Sequence, residues 1–531
     1  MRIRSIQPIA LGFALLLAPP TLAQDPEPAP SEAEAPAADA DKTAPAEGAE
    51  APAEGTAPAA TAGAAPEEEL SDDGGALEFA QAMEQLLLEN HREAARLAYV
   101  AMKKTKPSAE KYESAQFVLA ESLAGAGLNS AASEYYFAVA DQRQNPALLP
   151  RALSGLERLA RQGLVDEDKL LRGVLVEASL SNVPLEVETF LGFYRGLSNL
   201  RLGYRRWAAA DFALLGKDGF YAQLAQYVRV VTLVRDEKSE KALEVVDALL
   251  ADHESGERPL DEVIRKRLLL VRARLLYEAG KLKESIEVYS GLRGTVDARE
   301  GEILVERAWA HFRKGDYHDA MGLLYALAAP SSRELFLPDQ YVLRGLIYQQ
   351  FCHFRAAKSA VRDFRDRYGD AVLALKRGDA PEDVPLVSAA AKVLPEVEPS
   401  LRVLTAVQSE VNRLDDLSSS FEEGGLLKHL NDLYGMLSRR AQKLHRRALA
   451  EGAALAAEHL LEADEQANLL EYEVGVSIFK PIASASGEVR LRQAAEEVPG
   501  GGDTVYYPFD GEFWTDELPY MRFLIQDRCV D

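Results

Sequence analysis

The sequence predicts an all-α protein, a superhelical solenoid of helical hairpins, and three observations carry that reading. In residues 303–330, Leu304, Ala308, His311 and Phe312 fall three or four apart; after Gly315-Asp316-Tyr317 a second run places Ala320, Leu323, Leu324 and Leu327 together. Such spacing lines one face of a helix. The two-run unit recurs about every 34 residues, and a hairpin too small to bury its own apolar face needs neighbours of the same kind. Small residues also oppose one another within a unit, Ala308 with Ala320 and Gly345 with Ala357, so the paired helices can approach closely.

The chain has 531 residues, 47% of them hydrophobic, enough for a large core. Its net charge of −24 argues against general nucleic-acid binding, which needs clustered Lys and Arg against phosphate. Two cysteines, Cys352 and Cys529, are too few for a disulfide scaffold or a structural zinc site.

Residues 1–23 read as an export signal: Arg2 and Arg4 precede an apolar core, and Thr21-Leu22-Ala23 offers small residues for cleavage near Ala23. The alternative, an uncleaved anchor, meets an apolar core short for a membrane span. The mature chain is therefore expected to be periplasmic or exported, and not membrane-spanning. Residues 24–75 form an Ala/Pro/Glu linker with 14 Asp and Glu against one lysine. Apolar side chains larger than alanine are almost absent there, so nothing offsets the entropy of ordering and disorder is expected.

Residues 76–371 carry the repeats. The copy at 76–107 has Phe79, Met83 and Leu86, then Ala95, Tyr99 and Met102; the next, at 113–146, has Ala120 and Leu123 before Gly127, then Ala132, Tyr136 and Val139. Residues 146–182 are helical but off-pattern. Looser copies follow at 189–219 and 221–255, and strong ones at 266–298, 303–330 and 338–369. A period near 34, paired small residues, glycine and an aromatic at the turn (Gly315, Tyr317) and a late proline resemble tetratricopeptide repeats. The resemblance implies seven or eight hairpins whose first helices line a groove for a peptide or another protein. Carried onto this sequence, the partner-binding residues would be Arg267, Arg274, Tyr277, Trp309, Phe312, Arg313, Leu346 and Gln349. Aromatic and arginine mixtures of this kind suit interface anchors. For Trp309 and Phe312, packing between hairpins is the alternative.

Residues 372–479 are expected to form longer helices. Leu401, Leu404, Val407, Val411 and Leu414 precede Gly424-Gly425, and Leu427, Leu430, Leu433 and Leu437 open a second run. The glycine pair can turn the chain, which favours an intramolecular hairpin over half of an intermolecular coiled coil. Arg439, Arg440, Lys443, Arg446 and Arg447 give the second helix a basic patch, fit for an anionic partner or the acidic linker, or else a solvated face paired with Glu451 and Glu458.

Residues 480–531 form a short irregular tail ending in an aromatic run that includes Tyr506, Trp514, Tyr520 and Phe523. So many aromatics are expected to dock on the helical body, most simply on the long-helix pair. Two helical layers would then separate Cys352 from Cys529, which argues against a bond between them. Exported repeats behind such a linker, with this ending, are similar to envelope repeat proteins of deltaproteobacteria, including those of the myxobacterial gliding machinery.

Catalytic patterns do not stand out. His311 and His318 flank a turn beside Asp316 and Asp319, but a packed histidine and a helix start account for them, so neither metal nor cofactor is expected. The reading is a non-enzymatic scaffold that assembles a cell-envelope complex, for motility or outer-membrane assembly. The alternatives are a cell-wall-acting enzyme with recruiting repeats and a self-assembling coiled-coil protein.

Overall fold

The computed structural model describes residues 71–165, 169–170, 183–292, 300–329, 332, 334–479 and 520–529. The expected export signal, residues 24–70 of the acidic linker and residues 480–519 of the tail lie outside them. Among the described residues the chain is helical, with one isolated bridge between Ser71 and Thr105.

Seven complete hairpins are present among these residues. Helix α1 (Ala76–Leu87) pairs with α2 (His91–Lys104), and α3 (Glu110–Gly125) with α4 (Asn129–Gln142). After α5 (Leu149–Arg161), α6 (Leu185–Arg201) pairs with α7 (Arg205–Leu214), and α8 (Phe220–Arg235) with α9 (Ser239–Glu254). Then α10 (Glu262–Glu278) pairs with α11 (Leu282–Gly291), α12 (Glu300–Lys314) with α13 (Tyr317–Ala326), and α14 (Asp339–Gln350) with α15 (Phe354–Arg377). Each hairpin packs on the next, with α5 between the second and the third, so the array is a tetratricopeptide-like α-α solenoid. Helix α15 runs on to Arg377, and residue 371, where the repeats were expected to end, lies inside it.

The α12–α13 hairpin shows the local logic. Leu304, Ala308, Ala320, Leu324 and Leu327 are buried in one cluster, and Gly315 turns the chain at φ +93°, a conformation that costs a side chain but not glycine. At the equivalent turn of the last hairpin stands Cys352, with φ +55°.

The C-terminal helices reach further than a hairpin of their own. Helices α16 (Pro385–Ala391), α17 (Glu398–Asp416) and the short α18 (Ser418–Phe421) precede α19 (Leu426–Phe479). Gly424 and Gly425, both at positive φ, turn the chain, and α17 packs on α19 as expected. But α19 has 54 residues against 19 in α17, a rod of roughly 80 Å at 1.5 Å per residue. Near its start, Leu426, Leu430 and Tyr434 join Phe421 in the core of the first hairpins, with Tyr136, Leu153 and Phe190. Near its end, Leu460, Ala467 and Leu470 join Phe364, Tyr368 and Val387 in the core of the last. Most of the apolar positions that suited a coiled coil thus pack on the chain's own solenoid, while Leu401 stays exposed.

Polar contacts fix both ends of this rod. The buried Glu410 carboxylate of α17 accepts hydrogen bonds from Ser130 N (2.9 Å), Ser130 Oγ (3.1 Å) and Tyr434 Oη (2.7 Å). At the far end His459 Nε2 lies 2.8 Å from Asp339, and Lys376 pairs with Asp464 at 2.5 Å.

The tail departs from expectation: it docks on the late hairpins instead of the long-helix pair. Phe523 N donates to the His318 carbonyl (3.0 Å) and its ring stacks on Tyr325 at 4.2 Å. Arg522 pairs with Asp319 (3.1 Å), and Ile525 is buried with the α12–α13 core. Met521 lies so close to Gly322 that a β-carbon there would collide with its carbonyl oxygen. The chain then reaches the α14–α15 turn, where Arg528 N donates to the Phe351 carbonyl. No helical layer intervenes on this path, so the bond the sequence argued against is formed: Cys352 and Cys529 are disulfide-linked, their Cα atoms 5.0 Å apart.

Candidate protein-binding surface

The first helices of successive hairpins carry a ladder of arginines on tyrosines. Arg267 of α10 is exposed and its guanidinium sits 5.9 Å from the ring centre of Tyr227 on α8. Arg313, exposed at the end of α12, lies 4.4 Å from the ring centre of Tyr277 on α10 and donates to the Tyr277 carbonyl at 2.9 Å. Cations on aromatic faces attract through the ring quadrupole, which holds both arginines extended along the surface without removing their charge.

Other predicted groove residues point inward. Arg274 is 11% exposed and makes a two-point pair with Glu306 of α12, at 2.7 and 3.1 Å, while Tyr289 Oη donates to the same carboxylate at 2.8 Å. Burial pushes the Arg274 guanidinium down, but Glu306 more than offsets it and holds the pKa above its ordinary value. An arginine that seven-residue spacing places beside Arg267 is internal because the next helix supplies a buried carboxylate. Trp309 is buried, edge-on to Phe312 at 5.7 Å, and Phe312 is edge-on to Tyr317 at 5.6 Å. These two follow the packing alternative. Leu346 is half-buried between two cores, and Gln349 donates to Glu473 of α19 at 3.3 Å. The long helix therefore covers the face of α14 that was read as groove.

All five residues of the basic patch are exposed, on the stretch of α19 between its two cores. Arg447 pairs with Glu451 at 2.9 Å, and Arg440 lies 3.8 Å from Glu134. Arg439, Lys443 and Arg446 have no carboxylate partner among the described residues.

The sequence reading missed one apolar surface. Leu202, Trp207 and Leu214 on the α6–α7 hairpin are each at least 65% exposed. Its signal was available: Trp207 adjoins the small-residue position Ala208, which is buried against the partner helix, so its own side chain must point elsewhere.

Two clusters bear on chemistry. Ser400 Oγ lies 3.0 Å from His445 Nδ1, but it also donates to the Val397 carbonyl at 2.7 Å. Its proton is engaged there, so the histidine nitrogen can only donate to it, the reverse of general-base activation. At the α12–α13 turn, His311, Asp316 and Asp319 bring metal-ligating atoms within 4.8 Å of one another. Their neighbour His318 instead holds the tail, through Phe523 and Ile525. No helix among the described residues is long and apolar enough to cross a membrane.

The sequence matches no protein-family model and no curated protein. Among solved structures it is similar to a tetratricopeptide repeat protein from Parabacteroides merdae, at 17% identity over 55% of this chain and 93% of that one, with a TM-score of 0.23. It is also similar to a chain of the APC/C hetero-tetramer Cut9-Hcn1, at 13% identity over 75% and 84%, with a TM-score of 0.22. The fold rests on the helix pairing itself; these likenesses add nothing to it.

Proposed function

We propose that this chain is an exported scaffold that binds an acidic segment of a partner protein along the open first-helix face of its central hairpins, and so assembles a cell-envelope complex. The observation that carries the reading is the Tyr227–Arg267 and Tyr277–Arg313 ladder. It offers exposed guanidinium groups, pre-positioned on aromatic rings, on hairpins other than those that α19 joins. Side chains held in place before binding lose less entropy on association, and arginine and tyrosine are frequent interface anchors. The reading assigns no catalysis to the chain.

Export is supported by the signal-like residues 1–23 and by the Cys352–Cys529 bond, since disulfides persist in oxidising compartments. A role in gliding motility or outer-membrane assembly follows only from the resemblance of the tail and linker to envelope repeat proteins. Cell fractionation with N-terminal sequencing tests export: a periplasmic chain beginning near Gln24 is expected, and a cytoplasmic chain retaining Met1 contradicts it.

Charge reversal tests the surface. In a pull-down from extract of the source cells, Arg267→Glu with Arg313→Glu is expected to lose the partners captured by the native chain while retaining its circular-dichroism spectrum. Unchanged capture with a folded double variant discards the surface. Trp309→Ala and Arg274→Glu are unsuitable probes, because both side chains hold the fold.

A further inference from the structure

The turn between α12 and α13 holds side chains that packing does not explain. His311, in the last turn of α12, is 8% exposed, and neither ring nitrogen has a hydrogen-bond partner among the described residues. A buried polar group left without a partner costs stability, so its persistence calls for a physical account. Asp316 Oδ2 lies 3.5 Å from His311 Nδ1, too far for a good hydrogen bond. Asp319, on the first turn of α13, faces the same point, so three ligand atoms from α12, the turn and α13 converge within 4.8 Å.

We propose that His311, Asp316 and Asp319 form a binding site for one divalent transition-metal ion of the zinc class. One imidazole nitrogen and two carboxylate oxygens form a mixed ligand set suited to zinc, which binds such atoms at about 2.0–2.2 Å. Ligand atoms at that radius lie about 3–4 Å apart, so small rotations of the two aspartates close the site. The surrounding cations leave room. Lys314 Nζ pairs with Oδ2 of Asp316 at 2.5 Å, and Arg522 Nε pairs with Oδ1 of Asp319 at 3.1 Å. Oδ2 of Asp316, the oxygen that faces His311, is the one Lys314 holds, so Asp316 would ligate by turning its Oδ1 inward, while Asp319 keeps Oδ2; the two cations then hold the aspartates as outer-shell partners do for metal ligands. Remaining coordination positions would be filled by water. The site adjoins the docked tail, because Arg522 belongs to it and His318 beside it anchors Phe523 and Ile525.

The test is zinc titration of the full chain, followed by calorimetry and by competition with a chromogenic chelator. Saturable uptake is expected to include one equivalent that Asp316→Asn and Asp319→Asn each weaken at least about tenfold, since even outer-shell changes cost that much. His311→Phe, which keeps an aromatic ring in the core, is expected to abolish that equivalent. The asparagine variants should melt with the native chain in chelator, which separates loss of a ligand from loss of fold. Added zinc should also slow amide exchange at residues 311–319 in the native chain only. Absence of saturable uptake overturns the proposal. So does uptake with the same dissociation constant in all three variants, which would place the ion elsewhere.

Discussion

On α14, Gln349 reaches Glu473 and Gly345 lies against Leu470, both residues of α19. On α10, Arg267 is exposed and lies over the Tyr227 ring. Both are first helices of their hairpins, with α12–α13 between them, yet α14 is sheathed by α19 and α10 shows no such cover among the described residues. The same contrast divides the array. The first hairpins share a core with α17 and α19, and the last share one with α16 and α19. The cluster of α8 and α9 is built with α10, and Val288 of α11 packs on it, without residues of α17 or α19, although the other side of α8 reaches the first core through Tyr221 and Val228. In a solenoid, stability is a sum over neighbours. Ends that lack an outer neighbour gain one here from the long helix, while the middle hairpins have neighbours on both sides. The middle can therefore remain open, and an open face is the one able to receive a partner.

This contrast can be broken in steps. The largest effect is expected at the sheathed end: Phe421→Ala removes a fully buried ring from the first core and should cost about 3–5 kcal/mol, read as an earlier denaturant midpoint. Arg274→Ala should cost a similar amount, about 3–5 kcal/mol, because it leaves Glu306 as an uncompensated buried charge. Removing the staple with Cys352→Ser and Cys529→Ser should cost about 2–4 kcal/mol. The cost should fall on the late hairpins, as faster exchange along α13 and unchanged exchange in α1–α4. Arg267→Ala, on the same helix as Arg274 but on the bare face, should change stability by no more than about 0.5 kcal/mol. If the two arginine variants were equally destabilised, the distinction between internal and open positions on α10 would be lost.

The smallest effect is a pH dependence at the α14–α19 contact. Burial pushes the His459 imidazole down, but Asp339 more than offsets it, so its pKa lies above the ordinary 6.5. A group raised on folding stabilises fully below its unfolded value and loses that contribution as pH rises through the folded one. The melting-temperature gap between the native chain and His459→Gln should therefore be widest near pH 6 and shrink toward pH 9. A gap independent of pH would remove the charged pair from the account.

The hairpins were legible in the sequence because each depends on residues within one period. The spacing of Leu304, Ala308 and Ala320, and the glycine between them, sets the unit without reference to the rest of the chain. The turn at Gly424-Gly425 was legible for the same reason. What covers each hairpin was not. Glu410 meets Ser130 across 280 positions, and the tail meets His318 across 205, and no periodicity encodes such pairings. The site residues divide in the same way. Arg267 and Arg313 could be placed on a face by counting, whereas Arg274 turned inward because Glu306 and Tyr289 await it on neighbouring helices. The disulfide was misjudged because the tail was assigned to the wrong surface, which put helices between its cysteines.

Site-specific photocrosslinking in the source cells shows whether the first-helix face of the middle hairpins receives the partner. A photoreactive side chain would replace Arg267, Arg313 or Gln349 in turn. The same intermolecular adduct is expected from positions 267 and 313, and none from position 349 beneath α19. Adducts from position 349, or from none of the three while the chain still captures its partner, would contradict this placement.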